Sequence, residues 1–167
     1  MIMRKITEII LHCAATREGQ DVKAAAIDKY HKSKGWKCIG YNWYIDLDGT
    51  VEKGRSEEIS GAHTIGHNAN SIGICYCGGC DKNGKAKDTR TEAQREAMYE
   101  LVYKKLYEYG LSLDDVYCHN QFDNKACPSF KIDQFKEEYD AWLQRKLKMS
   151  LKEIARVVKE WKSKYDK

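Results

Sequence analysis

Segments with the apolar pattern of β-strands alternate along this chain with segments that have the 3.6-residue pattern of helices. Ile6 to His12 ends in an apolar run, and Ser71 to Cys77 is a second run that two glycines end. Both patterns predict buried strands. Tyr41 to Leu47 and Thr50 to Lys53 flank the turn sequence Asp-Gly, which predicts a β-hairpin. Asp115 to Cys118 predicts a short strand that ends just before His119.

Helix signals lie between and after these strands. Asp21 is placed to cap a helix from about Val22 to Lys34, with Gly35 as its stop. Thr91 and Gln94 have the spacing of a capping box, which predicts a helix that ends at Tyr109 before Gly110. Ile132 to about Lys146 predicts a further helix, and a last helix is predicted from Ser150.

The alternation of strands and helices predicts an α/β fold: a central mixed β-sheet flanked by helices, in a single domain with a C-terminal helical extension. At 167 residues the chain has the length of one domain. We place the domain at residues 1–146 and the extension at residues 147–167. In such sheets, functional side chains gather at the strand ends and in the loops that follow them.

Composition narrows the class of protein. A hydrophobic share of 42% and a charged share of 32% are typical of a soluble globular protein. No apolar run approaches the roughly 20 residues that a membrane-spanning helix needs. Glu8 interrupts the apolar run near the N-terminus, so we expect no signal peptide and synthesis in the cytoplasm. Seven cysteines, an odd number, favour free thiols and metal ligands over a disulfide framework.

The net charge of +4 is concentrated at the C-terminus. Residues 145–167 carry nine basic and three acidic side chains, whereas residues 1–144 carry twenty and twenty-two. Apolar residues recur there at helical spacing, at Leu147, Leu151, Ile154, Val158, Trp161 and Tyr165. Such a stripe favours packing onto the domain, and an anionic membrane or wall polymer is the alternative partner. Basic charge without a recognition motif does not indicate nucleic-acid binding.

The segment from His119 to Phe130, HNQFDNKACPSF, carries the strongest chemical signal when it is combined with the distant His12. His12, His119 and Cys127 offer two imidazoles and a thiolate, a set that suits a tetrahedral Zn²⁺ with its fourth position open. An open position distinguishes a catalytic zinc from a structural one. Lys125 lies two residues before Cys127.

Four segments, in order, resemble the zinc-dependent N-acetylmuramoyl-L-alanine amidases, the family shared by phage lysozyme amidases and peptidoglycan recognition proteins. They are ILHCAAT around His12, GWKCIGYNWYIDLDGTV, GAHTIGHNANSIGI and CHNQFDNKACPSF. The resemblance covers roughly residues 5–143. It implies zinc ligation by His12, His119 and Cys127.

The resemblance also implies roles for four other residues. Tyr41 and Lys125 match the catalytic tyrosine and lysine, and His63 and Asn68 lie in the segment that resembles the substrate-groove wall. The implied reaction is hydrolysis of the amide that joins N-acetylmuramic acid to L-alanine in peptidoglycan, in phage or prophage lysis. Tyr41 and Lys125 would then orient water, donate to the oxyanion or protonate the leaving amine. We expect a monomer that acts on the cell wall after release or export.

Other functions remain open at this point. A cytoplasmic amidase that recycles muropeptides typically has an aspartate as its third ligand, so Cys127 argues against it. A noncatalytic peptidoglycan-binding module commonly lacks the cysteine ligand. A small zinc or redox protein built on the CYCGGC sequence, Cys75 to Cys80, is the weakest alternative. We interpret those cysteines as inert thiols, and the alternative is a Cys77–Cys80 disulfide formed after export.

Overall fold

The computed structural model describes residues 4–165, with side chains as far as residue 159. It divides into two compact units, one up to Ile132 and one from Asp133 onwards. The strands are β1 (Glu8–Cys13), β2 (Thr16–Arg17), β3 (Trp43–Ile45), β4 (Val51–Lys53), β5 (Ser71–Tyr76), β6 (Gly79–Cys80) and β7 (Val116–Cys118). The helices are α1 (Ala24–Ser33), α2 (Glu92–Tyr109) and α3 (Ile132–Tyr165).

Five of the strands form one mixed sheet in the order β4-β3-β5-β1-β7. The β3–β4 hairpin is antiparallel, and the other pairings in this sheet are parallel. In β5 every residue is buried, and in β1 every residue after Glu8 is buried. Strands that are covered on both faces need continuous apolar runs, which is why their sequences do not alternate. The predicted α/β fold with a central mixed sheet is confirmed.

Local signals placed the hairpin and α2 correctly. Thr91 accepts a hydrogen bond from the backbone N–H of Gln94, and the Gln94 side chain accepts one from the Thr91 N–H in return. The helix ends at Gly110, whose φ of 64° is left-handed and favours glycine. At the hairpin turn, Gly49 has a φ of 88° for the same reason.

The predicted start of the first helix is wrong. Asp21 does not cap a helix at Val22. Instead α1 begins at Ala24 after Lys23, whose side chain makes no capping hydrogen bond. The backbone of Val22 is held outside the helix, because its N–H donates to the Cys77 thiol and its carbonyl accepts from the Tyr44 hydroxyl.

The predicted interruption between Lys146 and Ser150 is also wrong, because α3 is one continuous helix of 34 residues. None of residues 147–149 is glycine or proline, and a serine costs only a few tenths of a kcal/mol in a helix. Near its start, Phe135, Tyr139 and Trp142 are buried. Every described side chain from residue 144 to residue 159 is exposed.

The apolar stripe predicted for the C-terminal extension lies on this exposed part of α3. Its members Leu147, Leu151, Ile154 and Val158 are 46–65% exposed. The side chains of Trp161 and Tyr165, which the prediction also included, lie outside the described residues. The division at residues 146 and 147 stays a prediction. Among the described helices, none combines the length and the apolar character that crossing a membrane requires.

Candidate metal centre

The pairing of β1 with β7 brings two of the predicted ligands together. Leu11 lies opposite Cys118 in this parallel pair, so the next residues along the two strands are His12 and His119. The two imidazoles lie side by side, with ring centroids 4.6 Å apart. Both side chains are buried.

Cys127 reaches the same point from the loop after β7. Its Sγ lies 3.7 Å from Nδ1 of His12 and accepts a hydrogen bond of 3.3 Å from the backbone N–H of Cys13. The ligand atoms of His12, His119 and Cys127 all lie within 4.8 Å of one another. The structure therefore brings the three predicted ligands into one group that could hold a metal ion.

A chain of hydrogen bonds behind His12 sets which of its ring nitrogens carries the proton. The Ser71 hydroxyl donates to the carbonyl of His67 (2.8 Å), so its oxygen is available to accept from Nε2–H of His63 (3.4 Å). Nδ1 of His63 then accepts from Nε2–H of His12, at 3.0 Å. With its proton on Nε2, His12 turns the lone pair of Nδ1 towards Cys127, as a metal ligand must.

Burial keeps the imidazoles neutral. It is the main reason that the pKa of His12 lies well below its ordinary value, with His63 and His119 adding to the effect. Burial likewise lowers the pKa of His119, helped by the charge of Lys125, and it lowers the pKa of His63 to about 3. Neutral imidazole is the form that binds metal ions.

Cys13 and Cys127 form a pair of neighbouring thiols. A hydrogen bond from Cys127 is the main cause that lowers the pKa of Cys13 to about 7, against an opposing effect of burial. The same hydrogen bond and burial raise the pKa of Cys127. Two adjacent sulfurs resist ionising together, so one of the two thiols loses its proton more readily than the other. Sequence analysis did not select Cys13, although it directly follows His12.

Of the two predicted catalytic residues, Tyr41 lies beside His12, and Lys125 lines the same cavity as His119. The Tyr41 ring centroid is 5.2 Å from that of His12, and burial raises the pKa of its phenol well above the ordinary value, with nearby cysteines adding to the effect. The Lys125 side chain is 60% exposed and forms an ion pair of 2.5 Å with Asp123. Asp123 also lies 3.9 Å from Nε2 of His119. The only sequence signal for the ion pair between Asp123 and Lys125 was their spacing of two residues.

An open cavity of about 290 Å³ borders the group, and His119 and Lys125 line it. The two residues predicted for a substrate groove, His63 and Asn68, line it as well. Asn68 also shapes the loop, because its Oδ1 accepts from the backbone N–H groups of His63 and Thr64. Besides lining the cavity, His63 bonds directly to His12, and no sequence pattern indicated this contact.

Thr64 is a further residue at the centre that sequence analysis missed. Its hydroxyl lies 3.4 Å from Nε2 of His12 and 3.1 Å from Nδ1 of His63. A lone threonine in a loop gives no signal of such a contact in the sequence.

Two glycines make room for the His63 ring. A Cβ at Gly61 would lie 2.5–2.7 Å from ring atoms of His63, and a Cβ at Gly73 would lie 2.6–2.8 Å from them. Real Cβ atoms do not approach other atoms so closely, so a side chain at either position would displace the imidazole.

The cysteines of the CYCGGC sequence are free thiols in this structure. Cys75 and Cys77 are fully buried in one apolar cluster with Ile27 and Tyr44. Cys77 also donates to the carbonyl of Gln20 and accepts from the backbone N–H of Val22. These contacts are those of packing residues, which agrees with the interpretation of inert thiols.

Residues 3–130 match the family model described as N-acetylmuramoyl-L-alanine amidase. An endolysin of Enterobacteria phage T3 is 40% identical over 136 residues, which are 81% of this chain and 89% of that protein. An endolysin of Escherichia phage T7 is 39% identical over 130 residues, covering 78% of this chain and 85% of that protein.

The fold has solved counterparts as well. The N-acetylmuramoyl-L-alanine amidase LysC from Clostridium intestinale URNW superposes with a TM-score of 0.69 at 26% identity, over 83% of this chain and 87% of that one. The residues that the family model matches, 3–130, include the five-stranded sheet and the three residues of the metal centre.

Proposed function

The chain belongs to the N-acetylmuramoyl-L-alanine amidase family, and on that premise we propose that it is a zinc-dependent lysis enzyme of a phage or prophage. Its activity is that of the family, hydrolysis of the amide between N-acetylmuramic acid and L-alanine in peptidoglycan. The observation that carries the zinc assignment is the meeting of His12, His119 and Cys127 at one point.

The spacing of the Cys127 and His12 ligand atoms fits zinc. Bonds of about 2.3 Å to sulfur and 2.0–2.1 Å to nitrogen, at a tetrahedral angle, place the two ligand atoms about 3.5 Å apart. Cys127 Sγ and His12 Nδ1 are 3.7 Å apart. Two neutral imidazoles and one thiolate would leave the ion with one positive charge, so it would remain a Lewis acid. The cysteine also separates this site from carboxylate sites that prefer magnesium or calcium.

Zinc bound here would supply a nucleophilic water of lowered pKa and would polarise the scissile carbonyl. The protein's own groups would do the rest. The raised pKa of Tyr41 keeps its phenol protonated at neutral pH, so it is a hydrogen-bond donor beside His12. Lys125 presents an ammonium at the cavity, where it would donate to the developing oxyanion or protonate the leaving amine.

The cavity supports a substrate site that opens to solvent. His63 and Asn68 would form one wall of a groove for peptidoglycan or a muropeptide. In this proposal the protein acts as a monomer on the cell wall, after synthesis in the cytoplasm and release or export. The phage endolysins that match the chain over most of their length support action on the cell wall.

Digestion of purified sacculi tests the proposal together with metal analysis. The wild type should bind about one zinc per chain and release stem peptides with an L-alanine N-terminus, detected by mass spectrometry. Cys127→Ala should lose both the zinc and the release. Cys38→Ala is the matched control, because Cys38 is also a partly buried free thiol but lies outside the ligand group. Zinc without release from sacculi, but with cleavage of soluble muropeptides, would instead indicate a recycling amidase.

Replacement of Lys125 separates catalysis from metal binding. Lys125→Ala should lower kcat by about 100- to 10,000-fold, the range for loss of a positioned proton donor, while zinc content stays at one per chain. Lys85→Ala, at an exposed lysine in a turn, is the control and should keep full activity. A Lys125→Ala enzyme that is fully active with its zinc bound would exclude the catalytic role.

A further inference from the structure

The exposed part of α3 has a well-defined apolar face. At 100° per residue, Leu147, Leu151, Ile154 and Val158 fall within an arc of about 60° on the helix surface. All four are 46–65% exposed. Single exposed apolar residues are normal, but a contiguous row over three turns of helix indicates a binding surface. The row lies outside residues 3–130, which the amidase family model matches, so it needs a separate explanation.

Basic residues border the apolar face. From residue 144 to residue 159 there are six basic side chains and one acidic side chain, Glu153, which pairs with Arg156 at 2.6 Å. Lys148, Lys159 and Lys152 lie about 90–130° from the centre of the apolar row on the same helix. Long basic side chains at such an angle can keep their apolar stems near the row while the charged ends reach outwards.

We propose that this apolar row of α3, with its basic border, is a docking surface for an anionic phospholipid membrane. A helix with a large apolar face and a lysine-rich border lies in the plane of a bilayer, with its apolar side chains among the acyl chains and its lysines at the headgroups. The charge decides between this partner and a second copy of the chain. Two such helices side by side would bring a net charge of +5 against another +5, whereas anionic lipids neutralise it.

Two exposed apolar residues on opposite sides of the helix provide a matched test. Leu151 lies in the row, and Met149 lies about 160° away from Leu151 around the helix. Each is 65% exposed. Leucine, methionine and glutamine have similar helix propensities, so Leu151→Gln and Met149→Gln should leave the helix intact.

Co-sedimentation of the full-length protein with vesicles is the measurement. The wild type should bind vesicles that contain phosphatidylglycerol at least tenfold more tightly than vesicles of phosphatidylcholine alone, and 0.5 M salt should weaken the binding. Leu151→Gln should lower the affinity for the anionic vesicles about tenfold or more, and Met149→Gln should change it less than twofold. A double variant, Lys148→Gln with Lys152→Gln, should lose the preference for anionic lipid.

Equal binding by the Leu151→Gln and Met149→Gln variants would overturn the proposal, as would equal binding of the wild type to both kinds of vesicle. A dimer in solution that Leu151→Gln dissociates, without vesicle binding by the wild type, would assign the surface to a second copy instead. Cleavage of a soluble muropeptide should be the same in all three variants and the wild type. This control keeps failure of the membrane proposal distinct from failure of the amidase.

Discussion

The hydrogen bond between His12 and His63 leads to a quantitative prediction. Nδ1 of His63 accepts a hydrogen bond from Nε2–H of His12 at 3.0 Å. This bond keeps the His12 proton on Nε2, so Nδ1 of His12 is available as a metal ligand. Loss of such a partner of a metal-binding histidine typically costs 10- to 100-fold in metal affinity, which corresponds to about 1.4–2.8 kcal/mol. His63→Ala should therefore weaken zinc binding.

The position of Thr64 narrows this range. Its hydroxyl lies 3.4 Å from the same Nε2 of His12 and can accept the proton when His63 is removed. His63→Ala should therefore lose about tenfold in zinc affinity, at the lower end of the range, and His63→Ala with Thr64→Val should lose about 100-fold. Glutamine at position 63 offers an amide oxygen as acceptor and should recover part of the loss.

Competition with a chromophoric chelator at pH 7.5 measures zinc affinity without reference to activity. His67→Ala is the control, since His67 belongs to the same loop but its ring bonds to Glu8, at 2.8 Å, and packs on Phe122. Circular dichroism would establish that each variant is folded. If His63→Ala binds zinc as tightly as His67→Ala does, the proton positions assigned to the hydrogen bonds from Ser71 through His63 to His12 are wrong.

Two further substitutions test the surroundings of the centre and the stability of the domain. Gly79→Ala should destabilise the fold and weaken zinc binding, because a Cβ there would overlap the Cys13 sulfur and the φ of 102° disfavours a side chain. Gly84→Ala is the control, since Gly84 has a φ of 85° but open space around it. In chemical denaturation it should show only the backbone strain of about 1 kcal/mol. Asp88→Asn should lower the free energy of unfolding at pH 7 by about 1.5–3 kcal/mol, because it removes the carboxylate that pairs with both Arg90 and Arg95 at 2.8 Å. Burial alone would raise the pKa of Asp88, but the hydrogen bonds and charge of Arg90 outweigh burial and hold the pKa below 3.8. The stability that the Asp88 carboxylate contributes is therefore complete above pH 3.8 and is lost as the pH falls through the lower folded-state pKa. Denaturation of the wild type and Asp88→Asn between pH 2 and pH 7 should give curves that converge in acid, and a constant difference would contradict the assignment.

The sequence predicted the sheet well because its central strands are buried on both faces. Only continuous apolar runs satisfy that environment, so β1 and β5 were visible without any knowledge of their partners. The pairing itself was not predictable. The register of Leu11 opposite Cys118, which places His12 beside His119, joins residues more than a hundred positions apart. No local pattern encodes such a register.

The errors have local physical causes. A capping residue at Asp21 was a reasonable prediction, but tertiary hydrogen bonds to the backbone of Val22 decide where α1 begins. The break predicted between Lys146 and Ser150 is absent, because no glycine or proline lies there and serine is only a weak helix breaker. In the first case a distant contact overrides the signal, and in the second the signal is too weak to end a helix.

The three ligands alone do not determine the metal centre. His63 can bond to His12 only because Gly61 and Gly73, which both lie against its ring, have no side chains. Gly73 lies within β5, where glycine normally weakens a strand, so its presence there has a packing reason. The segment GAHTIGHNANSIGI therefore contributes more than a groove wall: its glycines position the histidine that orients a ligand. A chain that kept His12, His119 and Cys127 but had alanine at position 73 would lose that orientation and bind zinc less tightly.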